Sequence, residues 1–90
     1  MSEANTFHLV IASVGDTRFD GPAVSATIPT TAGEITVLAH HEPLVATLKV
    51  GTLTVREATS SEGDVATGGK EFSIDGGILE VSGNRAVVLL

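Results

Sequence analysis

Hydrophobic and polar positions alternate in short runs along most of the chain. In "TFHLVIAS", residues 6–13, Phe7, Leu9 and Ile11 fall on one side of an extended backbone, because successive side chains of a strand point to opposite faces. "AVSATIP", residues 23–29, sets Val24, Ala26 and Ile28 against Ser25 and Thr27. "GTLTVRE" alternates Leu53 and Val55 with Thr52, Thr54 and Arg56, "EFSID" pairs Phe72 with Ile74, and "ILEVS" pairs Leu79 with Val81. Turn formers separate these runs: Gly15-Asp16, Asp20-Gly21-Pro22, Gly33, His41 to Pro43, Gly51, Ser60 to Asp64, Gly68-Gly69, Asp75 to Gly77 and Gly83-Asn84. Short strands divided by frequent turns predict an all-β chain, a two-sheet β-sandwich.

One run is ambiguous. In "EPLVATLKVG", residues 42–51, Leu44, Ala46, Leu48 and Val50 alternate, while Leu44, Val45 and Leu48 also fit one face of a helix. A segment this short between Pro43 and Gly51 is not decided by period, and its composition favours a strand. The polar connection "ATSSEGDVATGGK", residues 58–70, reads as a hairpin arm in which Asp64 to Thr67 pair briefly. No internal repeat or linker divides the chain, so residues 1–90 read as one domain.

Composition narrows the function. Cysteine is absent, as are Trp and Tyr, and only three Phe occur. The apolar content is therefore mainly Val, Ala, Leu and Ile, small branched side chains suited to the space between two sheets. Net charge is −6, and the five bases Arg18, Lys49, Arg56, Lys70 and Arg85 are scattered singly. No basic stripe exists to neutralise phosphates, which argues against nucleic acid as a partner. An acidic chain is also repelled by anionic lipid, so any attachment to a membrane is expected to be indirect, through another protein. No apolar stretch approaches the ~20 residues of a membrane helix, and "MSEANTFHL" lacks the basic start of a signal peptide. A soluble intracellular protein is the resulting expectation.

Few residues suggest chemistry. Neither a phosphate-binding glycine loop nor a G-x-S-x-G elbow is present. The eleven carboxylates fall mostly in turns or at alternate strand positions, where acids are ordinarily just solvated. Zinc needs three or four converging ligands, and His8, His40 and Glu42 form the one set open to a metal-dependent hydrolase. On an extended chain His40 and His41 point to opposite faces, so at most one faces a given ion. The simpler reading is that His41 and Glu42 lead into Pro43, which fixes the backbone at a corner. No catalytic residue, metal or cofactor is expected. Gly76-Gly77 reads as a pair permitting positive φ at a bulge or a close strand contact.

Two ordered motifs give the chain a family likeness. In "IPTTAGEITVLAHHEPLVATLKVGTLTV", residues 28–55, Gly33-Glu34, Leu38, His41, Pro43-Leu44, Leu48-Lys49, Gly51 and Leu53 fall in register with a strand, a Gly-Glu loop, a "P-x-H-x-P-L" corner and "L-K-x-G-x-L". Residues 76–89 match "G-G-[IF]-L-E-V-x-x-N-x-V-x-V-L", and "FHLVIASVGDTRFDG" carries an "F-x-G" turn at Phe19 and Gly21. Together these resemble the epsilon subunit of bacterial F-type ATP synthase over nearly the whole chain. Ala39-His40 departs from the usual proline before the corner histidine, Ala86 stands where Val is common, and the arm at 58–67 is long.

The resemblance implies a non-catalytic rotor subunit of the central stalk, a β-sandwich that docks on the gamma subunit and touches the polar loops of the c-ring, coupling proton translocation to ATP synthesis. It implies c-ring contact through Thr30, Thr31, Gly33 and Glu34, and gamma-subunit contact through His41, Pro43 and Leu44. The location implied is peripheral, on the cytoplasmic face of the bacterial inner membrane. Members of this family usually continue into a C-terminal helical hairpin that inhibits ATP hydrolysis and in some binds ATP. The sequence ends at Leu90 where that hairpin would begin, so the expectation is a short form without a C-terminal helical domain, to which neither property carries over. The alternative is a stand-alone β-sandwich binding module for a small ligand or peptide, which would present a concave apolar pocket with convergent polar groups.

Overall fold

The structure is a computed structural model and describes residues 5–57 and 69–90. Six strands are present among them: β1 Phe7–Ser13, β2 Asp16–Thr30, β3 Gly33–Leu38, β4 Leu44–Glu57, β5 Gly69–Ser82 and β6 Arg85–Leu89. The sheet order is β1-β6-β5-β4-β2-β3, and a further β1–β2 pairing closes the sheet on itself with β3 outside the closure. All pairings are antiparallel except β1 with β6. The expected hairpin arm, with its Asp64–Thr67 pairing, falls at 58–68, outside the described residues. The segment 42–51 is strand, as its composition indicates.

The strands are fewer and longer than the turn signals suggest. Asp20-Gly21-Pro22, Gly51 and Asp75 to Gly77 do not end strands; they lie inside β2, β4 and β5. The first half of β2 pairs with β1, and its second half with β3 and β4. Likewise, β4 meets Gly77 to Val81 of β5 with its first residues, and Gly69 to Asp75 with its last. Each long strand therefore bends from one layer of the sandwich into the other, as strands at sandwich corners do through bulges and bends.

The alternation of burial records the bend. In β4, Leu48 is buried at an even position and Leu53 and Val55 at odd ones; in β5, Ile74 gives way to Leu79 and Val81. In β2 a register shift between Ala23 and Ser25 puts Ala23, Ala26 and Ile28 in the core. Val24, expected on that face, is only half-buried, and Val50, expected to alternate inward with Leu48, is 69% exposed beside the bend. A strict period of two misplaces both residues because the period is interrupted there.

The core joins Phe7, Leu9 and Ile11 of β1 to Ile28, Val37, Leu53, Val55, Leu79, Val81, Ala86 and Val88. Toward the β4–β5 end, Phe19 and Phe72 meet edge to face with ring centroids 6.4 Å apart. There Lys70 pairs with Glu57 at 2.9 Å and lies 5.8 Å from the Phe19 ring. An exposed pair of this kind contributes at most about 1 kcal/mol, so apolar packing carries the stability.

Candidate functional site

The β2–β3 turn is built around Thr30. This last residue of β2 is 2% exposed; its hydroxyl donates to the Gly33 carbonyl and accepts the Ala32 N–H at 3.1 Å. Its side chain therefore faces inward and shapes the turn. Thr31 is exposed, and its N–H donates to the Thr47 carbonyl of β4 over 2.9 Å. Gly33 opens β3, and Glu34 is exposed opposite Pro29.

The second set of residues sits on the connection from β3 to β4. The turn falls at Ala39-His40 and not at Pro43: the His41 N–H donates to the Leu38 carbonyl over 3.2 Å, with His40 at φ 64°. This corrects the reading of His40 and His41 as neighbours on an extended chain. The His41 ring Nδ1–H donates to the Glu42 carbonyl at 2.7 Å, and Pro43 is exposed. Leu44 begins β4 opposite Val81, half-buried against the core.

These two sets share one feature. β3 pairs only with β2, and Leu44 to Ala46 pair only with β5, so the two layers are open along this edge. In the opening lies a hollow of about 310 Å³ lined by Thr30, Thr31, Ala32, Ile35, Leu44, Val45, Ala46 and Thr47. Ile35, Leu44 and Ala46 are the partly buried side chains that carry the core outward there. Thr31 and Leu44, named for different contacts, stand on one rim, and the Thr31–Thr47 bond ties the turn to that edge. Ala32, Ile35, Val45, Ala46 and Thr47 escaped the sequence reading, because which strand lacks a neighbour is a property of topology and leaves no local signal. The polar groups of the hollow are threonines, and Thr30 spends its hydroxyl on the turn.

The histidines weighed for metal chemistry have other partners. His8 Nε2 lies 2.6 Å from Asp20 Oδ1 on adjacent strands, with both side chains well exposed, while the His40 N–H is bonded to Asn84. Among the described residues no group of three His, Asp or Glu is arranged to hold a metal ion.

A family model described as "ATP synthase, Delta/Epsilon chain, beta-sandwich domain" matches residues 6–90. The chain belongs to this ATP synthase delta/epsilon family. An ATP synthase epsilon chain of Chlorobium limicola is 33% identical over 88 residues, an alignment covering 98% of this chain and 92% of the relative. The epsilon chain of Delftia acidovorans is also 33% identical, over 94% of this chain but 56% of its own length, so the chain spans little more than half of that relative. Among solved structures, a chain in the Euglena gracilis mitochondrial ATP synthase, from an assembly of OSCP, F1 and c-ring, superposes with a TM-score of 0.77 at 26% identity, covering 96% of this chain and 50% of that one. A chain from the central stalk and c-ring of the Tetrahymena thermophila enzyme gives 0.70 at 19% identity and shares the fold, covering 91% of this chain and 60% of that one. The epsilon-family motifs are thereby placed in three dimensions. The Gly-Glu loop is the β2–β3 turn, the histidine corner joins β3 to β4, and Gly76-Gly77 is the bend in β5.

Proposed function

We propose that this chain is the β-sandwich of an epsilon subunit in the central stalk of an F-type ATP synthase, a non-catalytic piece that turns with the gamma subunit and bears on the c-ring. The β2–β3 turn, with Thr31, Gly33 and Glu34 at its surface, meets the polar loops of the ring. The corner of His41, Pro43 and Leu44 meets gamma. The complex holds this acidic chain at the cytoplasmic face of a bacterial inner membrane; no helix among the described residues is long and apolar enough to cross one.

The observation that carries this reading is that the turn and the start of β4 border one open edge, bonded directly between Thr31 and Thr47. Load entering at the turn passes to the gamma-facing strand through backbone hydrogen bonds and a dense core, neither of which yields readily. Such an arrangement suits transmission and requires no reacting group.

Calorimetry with the gamma subunit from the same genome tests the assignment of the two surfaces. Leu44→Asp places a charge on a half-buried apolar contact and is expected to weaken gamma binding at least about ten-fold, or 1.4 kcal/mol. Glu34→Lys is expected to leave gamma affinity within about two-fold, since Glu34 stands on the ring-facing turn and outside the gamma contact. Equal binding by unaltered chain and Leu44→Asp removes the corner from the interface.

A further inference from the structure

Among the described residues, two that are not glycine adopt left-handed backbone, His40 at φ 64° and Asn84 at φ 58°. They are bonded to each other: the His40 N–H donates to Asn84 Oδ1 over 2.7 Å. The same side chain donates through Nδ2 to the Thr6 carbonyl at 3.0 Å, and the Asn84 carbonyl accepts the His8 N–H at 3.2 Å. One residue of the β5–β6 turn thus fastens both the entry to β1 and the β3–β4 corner.

The conformation costs the two residues differently. Gly83-Asn84 is the two-residue loop between paired Ser82 and Arg85, left-handed at both positions; a type I′ turn suits asparagine there. His40 occupies the third position of the Leu38–His41 turn, where glycine ordinarily supplies positive φ. A residue kept in a costly conformation by a bond from a distant part of the fold marks a place where the shape of the chain is what is being held.

We propose that Asn84 is a positioning residue for the corner presenting His41, Pro43 and Leu44, acting through the His40 amide. This rests on the reading of that corner as the gamma-facing surface. Loss of the Asn84 bond removes one of the contacts that hold His40 left-handed and lets the following residues shift from the interface geometry.

Three variants test it against the gamma subunit from the same genome. Asn84→Gly keeps the turn's backbone and removes both side-chain bonds. Gamma affinity is expected to fall about ten-fold, and the His40 amide to lose its protection from hydrogen exchange. Asn84→Asp keeps the acceptor for the His40 N–H and is expected to bind within about three-fold of the unaltered chain. His40→Gly keeps the amide that Asn84 accepts and relieves the left-handed penalty, so its melting temperature and its gamma affinity are both expected to hold. If Asn84 is merely structural, Asn84→Gly lowers the melting temperature and leaves gamma affinity unmoved. Asn84→Gly that binds as tightly as the unaltered chain overturns the proposal and leaves the functional reading intact. Failure of the unaltered chain to bind gamma overturns the functional reading, and the positioning role with it.

Discussion

Gly77→Ala is expected to unfold the domain or bring it close to unfolding. Gly77 lies at φ 134°, and a Cβ built on it would collide with the carbonyl oxygen of Leu89. The backbone conformation alone costs a non-glycine residue about 1–3 kcal/mol. The collision adds more, because the atom in the way is backbone of β6 and cannot rotate aside. Relief requires β5 and β6 to separate at the place where β5 bends between layers. A chain of this length is stable by roughly 5–13 kcal/mol, so the sum is a large share of the total. Gly76→Ala separates the two contributions. Its φ is 127°, but the nearest atom to a new Cβ is the Leu48 carbonyl oxygen at 3.6 Å, an ordinary contact. Urea unfolding followed by circular dichroism should show Gly76→Ala weakened and cooperative, and Gly77→Ala far weaker. Equal effects at the two positions would mean that the close approach of Leu89 is unimportant.

Leu79→Ala is expected to cost about 2–5 kcal/mol. Leu79 is fully buried in β5, paired with Ala46 on one side and Val88 on the other. Both register partners are smaller than leucine, so neither fills the space left behind. Ile78, one residue earlier, is 43% exposed, and Ile78→Ala should cost well under half as much. A shift of the urea midpoint for Leu79→Ala no greater than for Ile78→Ala would show that β5 is not the centre of the core.

Both predictions bear on what was legible in the sequence. The alternation of Phe7, Leu9 and Ile11, of Leu53 with Val55, and of Leu79 with Val81 exposes the core faces directly, since a side chain's burial within one straight strand follows from its parity. Parity fails at Val24 and Val50 because β2 and β4 change layers beside them. The same glycines and prolines that ordinarily end strands here bend them, and local sequence does not distinguish the two outcomes: both need a residue tolerant of unusual backbone. Gly76-Gly77 was readable as a close approach of strands, and the partner in that approach, Leu89, was not.

The candidate site divides the same way. The Gly-Glu loop and the histidine corner are marked by short motifs, whereas the hollow between them arises from strands that meet only after folding. Asn84 stood in a recognised motif as a turn residue. Its second role, holding His40 44 positions away, depends on the β5–β6 turn and the β3–β4 corner lying at one end of the sandwich. At the β3–β4 corner, Pro43 is visible in a sequence, whereas the left-handed conformation of His40 that closes the turn before it is not.

The central claim is that this chain is a rotor-stalk subunit, and recovery of its partners from the source cell tests it most directly. With the chain affinity-tagged and membranes gently solubilised, gamma and the c-ring are expected to be recovered with it in fixed proportion, gamma at one copy per chain. Recovery of the chain from the soluble fraction with neither gamma nor c-ring would contradict the account.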